Sequence, residues 1–191
     1  MGSTTVTLVV GLIGFCVTIT GWWVQRQKEH EARLASDLRA DRVKRLEISL
    51  KQAESQICDF YAPMDGLIHE IFATWESKEQ IKKATTKDLW GPIDSFVSER
   101  YFTPLHVRLR RLICEKVHLI EGAEIPLSFY EYMKHSVMEN MQQTLWADKE
   151  ISSIGAQGIS FPRDFEQDIR QGLKTSMRRY EDLLSELRSE Q

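Results

Sequence analysis

An uncharged stretch near the N-terminus constrains this chain more than any other feature. From Thr4 to Val24 the sequence has no ionisable side chain except the Cys16 thiol. A helix of this length rises about 31 Å, at roughly 1.5 Å per residue, and a hydrocarbon core is about 30 Å thick. We therefore predict a membrane-spanning helix within residues 1–25. The alternative is a cleaved signal peptide, but such peptides open with basic residues and end in small ones, unlike this segment.

Basic residues follow the predicted span and none precedes it. Those within residues 26–45 are Arg26, Lys28, Arg33, Arg39, Arg42, Lys44 and Arg45. The positive-inside rule places this flank in the cytoplasm. The sequence thus predicts a single-pass protein of the inner (plasma) membrane, with its N-terminus outside and its C-terminal domain cytoplasmic. Contact of the flank with anionic headgroups and a purely solvated helix face both remain open.

One side of the predicted span contains only threonine and glycine. At alternating steps of three and four residues it shows Thr4, Thr7, Gly11, Gly14, Thr18 and Gly21. Small side chains let helix backbones approach closely in lipid, and a 3.5-residue repeat favours left-handed packing. We therefore expect a homo-oligomer in the membrane. The alternative is chance, because both residue types are common in membrane helices.

The longest helical pattern follows the basic flank. Its apolar residues alternate at steps of three and four from Val43 onward, through Leu46, Leu50, Ala53 and Ile57. This seam indicates a helix that packs against another helix, from the same chain or from a second subunit. We predict a helical stalk at 26–62. It should end at Pro63, whose missing N–H and ring clash kink a helix or start a new one near residue 62.

The remaining residues, 63–191, have helical spacing and no run typical of strands. Their start and stop signals are the N-caps Thr86 and Thr103, the capping box Ser128–Glu131 and the glycine stop at Gly122. The predicted fold is all-α: one transmembrane helix that continues into a stalk, then a cytoplasmic helical bundle.

Composition limits the kinds of molecule that this chain is expected to bind. A net charge of -3 and a pI near 6.0 provide no overall basic field, so we expect no general nucleic-acid binding. Without its span the chain has the size of one ordinary domain. The three cysteines, Cys16, Cys58 and Cys114, form no CxxC pair and are predicted to be buried thiols in a reducing compartment.

Patterns typical of catalysis or metal binding are weak. Glu115 and His118 form one Glu-x-x-His pair, whereas a di-iron bundle needs two such pairs and facing glutamates. Glu131 and His135 fit a pair on a helix surface. The sequence has no nucleophile elbow, phosphate loop or dinucleotide fingerprint. We therefore predict a protein that is not an enzyme and has no metal or cofactor.

Two arginine clusters are the candidate ligand sites. One contains Arg108, Arg110 and Arg111, and the other contains Arg178 and Arg179. Guanidinium groups bind phosphate in bidentate fashion, so each cluster is a candidate for a phosphate-containing small molecule such as a cyclic nucleotide. The alternative is a solvated helix face paired with nearby glutamates.

The end of the predicted stalk resembles a known pattern. Phe60-Tyr61-Ala62-Pro63-Met64 is similar to the kink of small bacterial single-pass membrane proteins in which a long N-terminal helix ends at Phe-Tyr-Gly-Pro-Leu. This chain has Ala62 and Met64 in place of the glycine and leucine. Several such proteins occur among phage-defence genes, and membrane effectors gated by cyclic oligoadenylate in type III CRISPR systems have a similar layout. The resemblance covers residues 43–75 and implies a membrane effector, without assigning functional residues.

These features lead to a primary functional hypothesis and two alternatives. The first is a non-enzymatic oligomeric membrane protein whose cytoplasmic helical domain receives a signal or partner and acts through its membrane helices. The resemblance implies, as one form of this hypothesis, a bacterial antiviral defence effector that responds to a nucleotide second messenger. The second is a scaffold or assembly subunit that tethers another protein to the membrane. A third, a membrane-anchored enzyme, would need polar groups converging from several helices, which no sequence motif shows.

Overall fold

Helices make up all the regular structure that is described, which confirms the predicted all-α class. The computed structural model describes the backbone of residues 3–120, 122, 124–147 and 160–190, and the side chains of residues 21–120, 122, 124–141 and 160–190. The α-helices are α1 (Ser3–Gln56), α2 (Ala62–Ala84), α3 (Lys87–Val97), α4 (Thr103–Lys116), α5 (Leu127–Ala147) and α6 (Arg163–Glu190). Two short segments are π-helical, Ile57–Tyr61 and Ser98–Phe102, and one is a 3₁₀ turn, Val117–Leu119.

The chain divides into two compact units. The first comprises Met1–Ile48 together with Glu186–Gln191, and the second comprises Ser49–Ser185. The second unit therefore begins ahead of the predicted boundary at residue 63. The physical reason is burial, because Ala53 and Gln56 of α1 are already fully enclosed.

In the first unit, the described contacts join α1 to the C-terminal end of α6. The Arg42 guanidinium lies 2.7 Å from the Glu186 carboxylate and 3.0 Å from that of Glu190. Arg39 also pairs with Glu190, at 3.8 Å. Because the arginines are well exposed, these pairs align the helices more than they stabilise them.

The predicted seam of α1 is covered within a single chain. Leu46 and Ala53 are buried, and Val43, Leu50 and Ile57 are half-buried. Contacts within the chain account for this burial, and packing of the seam against a second subunit stays a prediction.

The core of the second unit is built from the inward faces of α2, α4, α5 and α6, the first π-helical turn and the 3₁₀ turn. Aromatic rings dominate it, with Tyr132 of α5 stacked on Phe165 of α6 at a centroid distance of 4.3 Å. Phe129 meets Phe165 edge-on at 5.1 Å. The other core residues are Phe60, Tyr61, Met64, Leu67, Ile68, Ile71, Leu105, Leu109, Ile113, Leu119 and Ile169.

Both π-helical turns have the same construction. Each ends in two aromatic residues, and each is followed by a helix whose second residue is proline, Pro63 in α2 and Pro104 in α4. A proline removes a backbone donor and crowds the preceding turn, and a π turn relieves this by widening the helix locally. Accordingly, the Ala62 N–H donates to the Ile57 carbonyl, five residues back, instead of to an α-helical partner. The sequence predicted a kink or a new helix near residue 62, and the structure has a π-helical turn there, after which α2 begins at Ala62.

Several local predictions were wrong. Thr103 is the first residue of α4 and not its N-cap, and its hydroxyl donates to the Ser98 carbonyl, at 3.1 Å. Ser128 does not cap α5, which begins at Leu127; its hydroxyl donates instead to the Asp168 carboxylate of α6, at 2.5 Å. This tertiary partner replaces the local backbone one. Cys58 and Cys114 are exposed, not buried, because they lie on the outer faces of their helices.

Most of the predicted membrane segment lies outside the residues whose side chains are described. Thr7, Gly11, Gly14 and Thr18 belong to that part, and only Gly21 of the small-residue stripe is described. Around Gly21 nothing lies within 4 Å of the position that a Cβ would take. In the described part of the chain, no helix is both long enough and apolar enough to cross a membrane. The span at Thr4–Val24 stays a prediction.

Candidate ligand-binding groove

A groove between α2 and α6, hereafter the α2/α6 groove, is the candidate functional site. Arg170, Lys174 and Arg178 of α6 are spaced four residues apart and therefore stand on one helix face. The groove has a volume of about 510 Å³. Its lining residues are Asp65 and His69 of α2 with Arg170, Leu173, Lys174, Met177, Arg178 and Glu181 of α6.

One end of this groove is an ordered polar network. Arg170 lies 2.9 Å from the Glu166 carboxylate and 3.5 Å from that of Asp65. The His69 Nδ1 lies 2.8 Å from the Asp65 carbonyl oxygen, and its Nε2 lies 3.1 Å from the Arg170 guanidinium. A carbonyl only accepts and a guanidinium only donates, so Nδ1 carries the proton and Nε2 accepts. The network holds Arg170 in a defined orientation.

The other end offers cations without partners. Within the described residues, neither Lys174 nor Arg178 forms a hydrogen bond or an ion pair. Met177 lies beside them and is 48% exposed, although it continues the apolar spacing of the buried Phe165 and Ile169. Glu181 adds a carboxylate at this end, so the lining contains three cationic and two acidic side chains. The groove can therefore accept an anion beside an apolar group.

The structure separates the first predicted arginine cluster. Arg108 and Arg111 are exposed, and Arg108 pairs with Glu70 at 3.8 Å. Arg110 is half-buried near the core. Neighbouring positions on a helix point in different directions, so three arginines within four residues do not converge on one ligand.

The second predicted cluster is also divided. Arg178 lines the α2/α6 groove, whereas Arg179 is half-buried and already engaged in other interactions. The groove residues that sequence analysis missed are Arg170 and Lys174. Their spacing of four from Arg178 is the signal that could have identified them.

A second polar feature, buried in the core, also escaped sequence analysis. His106 of α4 hydrogen-bonds through Nδ1 to the Tyr132 hydroxyl at 2.9 Å, and its ring lies 5.3 Å from that of His135. Burial, then the nearby His135 and Arg110, lowers the pKa of His106 to about 4. Burial also raises the pKa of Tyr132. The predicted surface pair of Glu131 and His135 is wrong, because His135 is only 7% exposed.

This His106–Tyr132–His135 cluster could have been recognised from spacing. His106 stands three residues before Leu109 and seven before Ile113, which are both core residues, and His135 follows Tyr132 by three. The cluster is enclosed by aromatic rings, including Phe161 at 5.5 Å from His135. Enclosure of this kind favours a structural role.

Comparisons with known proteins found no match from which a function could be proposed, so the proposed function is based on the geometry of the α2/α6 groove. No protein-family model, no curated protein and no solved structure matches this chain. In the described ranges, no group of three or more His, Cys, Asp or Glu side chains is placed to hold a metal ion.

Proposed function

We propose that this chain is a non-enzymatic membrane protein that receives a phosphate-bearing ligand, such as a cyclic nucleotide, in the α2/α6 groove. The observation that supports it best is that Lys174 and Arg178, which have no partner among the described residues, line one groove with the exposed Met177. Arg108 and Arg111 are exposed but do not line this groove.

The chemistry of the groove suits a ligand with a charged and an apolar part. Charge-assisted hydrogen bonds from Lys174 and Arg178 would neutralise phosphate oxygens. Met177 is flexible and polarisable, and with Leu173 it offers a surface for a flat base. Arg170, fixed by Asp65 and Glu166, is preorganised beside them, so little side-chain entropy is lost on binding.

The output of the protein is proposed to lie in the membrane. The uncharged segment Thr4–Val24 supports an anchor, and its stripe of threonine and glycine supports a homo-oligomer. The α6 helix carries the ligand residues and, further along, the carboxylates that pair with Arg39 and Arg42 of α1. A ligand that shifts α6 would therefore perturb the helix that begins in the membrane. The resemblance to phage-defence proteins fits an effector of this type.

The test is a titration of the full-length, detergent-purified protein with inorganic phosphate, cyclic dinucleotides and cyclic oligoadenylates. We expect one of the cyclic nucleotides to bind. The Lys174→Gln and Arg178→Gln variants should each weaken that binding by about tenfold or more, because a hydrogen bond to a charged group contributes about 1.5–3 kcal/mol.

The matched control is Arg111→Gln, which removes an exposed arginine of α4 that has no partner among the described residues. Its affinity should equal that of the unmodified protein. Absence of binding across the panel, or an equal loss in Arg111→Gln, would refute the α2/α6 groove as the ligand site.

A further inference from the structure

The second unit has a concave apolar surface between α2 and α3, hereafter the α2/α3 groove. Its volume is about 500 Å³. Its apolar lining includes Phe96 and Tyr101, which are 57% and 53% exposed, together with Ile81, Ile93 and Val97. Large aromatic side chains in an open groove are the usual anchors of protein contacts.

The polar groups of this groove are largely satisfied already. The hydroxyls of Thr74 and Ser77 donate to carbonyls of their own helix, at 2.7 and 2.8 Å. Lys78 is 2.6 Å from the Asp94 carboxylate. Glu70 is the exception, because it is exposed and has only the long contact of 3.8 Å with Arg108. The α2/α3 groove is therefore apolar along its length and anionic at the Glu70 end.

The α5 helix presents an exposed apolar surface that contains a cation, hereafter the α5 stripe. Leu127, Tyr130, Val137 and Met141 are 71%, 53%, 42% and 53% exposed. With Lys134 they follow steps of three and four residues, the repeat by which helices pack against one another. Lys134 is exposed and has no hydrogen bond or ion pair within the described residues.

We propose that the α5 stripe of one copy of this chain binds in the α2/α3 groove of a second copy, with Lys134 facing Glu70. The charges are complementary, and apolar residues follow the charged position on each surface. From Lys134 to Met141 the α5 stripe rises about 11 Å, and from Glu70 to Ile81 the groove rises about 17 Å, so Val137 and Met141 fit within the groove when Lys134 faces Glu70. The contact is heterologous, so a pair of copies keeps one free α5 stripe and one free α2/α3 groove for further copies.

This inference rests on the homo-oligomer of the proposed function and is independent of the ligand. It gives the cytoplasmic part its own means of assembly, in addition to the predicted contact in the membrane. A signal that changes the α2 or α5 surface would then change the arrangement of neighbouring copies.

The test uses single-cysteine proteins made in full-length chain with Cys16→Ser, Cys58→Ser and Cys114→Ser. One protein carries Glu70→Cys and the other carries Lys134→Cys. After mixing in detergent without nucleotide, a short bismaleimide crosslinker should give covalent dimers in the mixture and none in either protein alone. Dimers of Lys134→Cys alone would show a symmetric α5 contact instead, and absence of dimers in the mixture would equally refute the proposal.

A second variant separates a specific contact from random collision. Val137→Asp, added to the Lys134→Cys protein, places a charge in the α5 stripe and should abolish the crosslink. Leu89→Asp changes an apolar residue that is 58% exposed and lies outside both surfaces, so it should leave the crosslink unchanged. Equal crosslinking in the two variants would overturn the proposal. Nucleotide affinity, measured on Val137→Asp, should stay at the unmodified level, so failure of this contact is distinguishable from failure of the α2/α6 groove.

Discussion

At the scale of single residues, His106 is the side chain most altered by its surroundings. It is 6% exposed, and the positive charge of Arg110 and the ring of His135 both lie nearby. Its hydrogen bond to Tyr132 needs no charge on the imidazole. The folded state therefore keeps His106 neutral at pH values where an unfolded chain would protonate it.

This difference predicts a loss of stability in acid. The pKa of His106 falls from 6.5 to about 4 on folding, so between these values the unfolded chain binds a proton that the folded chain does not. Stability should therefore decrease as the pH falls through this window, by up to about 3 kcal/mol at roughly 1.4 kcal/mol per pKa unit.

The measurement is denaturant unfolding of the unmodified chain and of His106→Gln at pH 7 and pH 4. Glutamine can still hydrogen-bond Tyr132 but does not titrate, so the variant should lose less stability in acid than the unmodified chain. Identical losses would show that His106 does not contribute to acid unfolding.

At the scale of helices, the contact between α6 and the first π-helical turn explains a glycine inside a long helix. Glycine in a helix interior costs about 1 kcal/mol relative to alanine. A Cβ at Gly172 would overlap the Tyr61 ring, which is only 4% exposed. The π turn carries Tyr61 into the core, and only a glycine on α6 leaves room for its ring.

We therefore expect Gly172→Ala to lower the free energy of unfolding by about 1–3 kcal/mol, the usual cost of overpacking. Gly66→Ala is the matched substitution, because nothing lies within 4 Å of a Cβ there. It should stabilise α2 by about 0.5–1 kcal/mol through helix propensity. Chemical denaturation of both variants measures these changes in the free energy of unfolding. A neutral or stabilising effect of Gly172→Ala would contradict the close packing of Tyr61.

At the scale of the whole molecule, the predicted membrane span leads to a test of self-association. If the predicted stripe of small residues forms a helix contact, leucine at Gly14 and Gly21 should weaken self-association, because it blocks close backbone approach. Membrane insertion should survive, since leucine is favourable in a membrane helix.

Crosslinking within membranes compares the Gly14→Leu and Gly21→Leu double variant with Val17→Leu, which adds bulk off the stripe. The control should associate normally. Equal association of the two proteins would show that the stripe is not an interface, and the proposed contact between the α5 stripe and the α2/α3 groove would then have to hold any oligomer alone.

Local sequence determined the secondary structure of this protein to a large extent. The apolar spacing indicated helices throughout, and Pro63 marked the start of α2. Gly122 was predicted as a stop, and it has a backbone φ of +114°, a value that side-chain-bearing residues rarely adopt. Periodicity, proline and glycine act through neighbouring residues, so a contiguous sequence is enough to reveal them.

Tertiary packing alone decided which helix faces are covered and which polar groups find partners. Met177 fits the apolar face of α6 but stays exposed in the α2/α6 groove, whereas His135 is enclosed. Ser128 has the sequence of a helix cap yet bonds Asp168, forty residues away. Lys174 and Arg178 became a candidate site because α2 packs beside them without pairing their charges. Burial and charge pairing depend on contacts between distant segments, which helical periodicity does not encode.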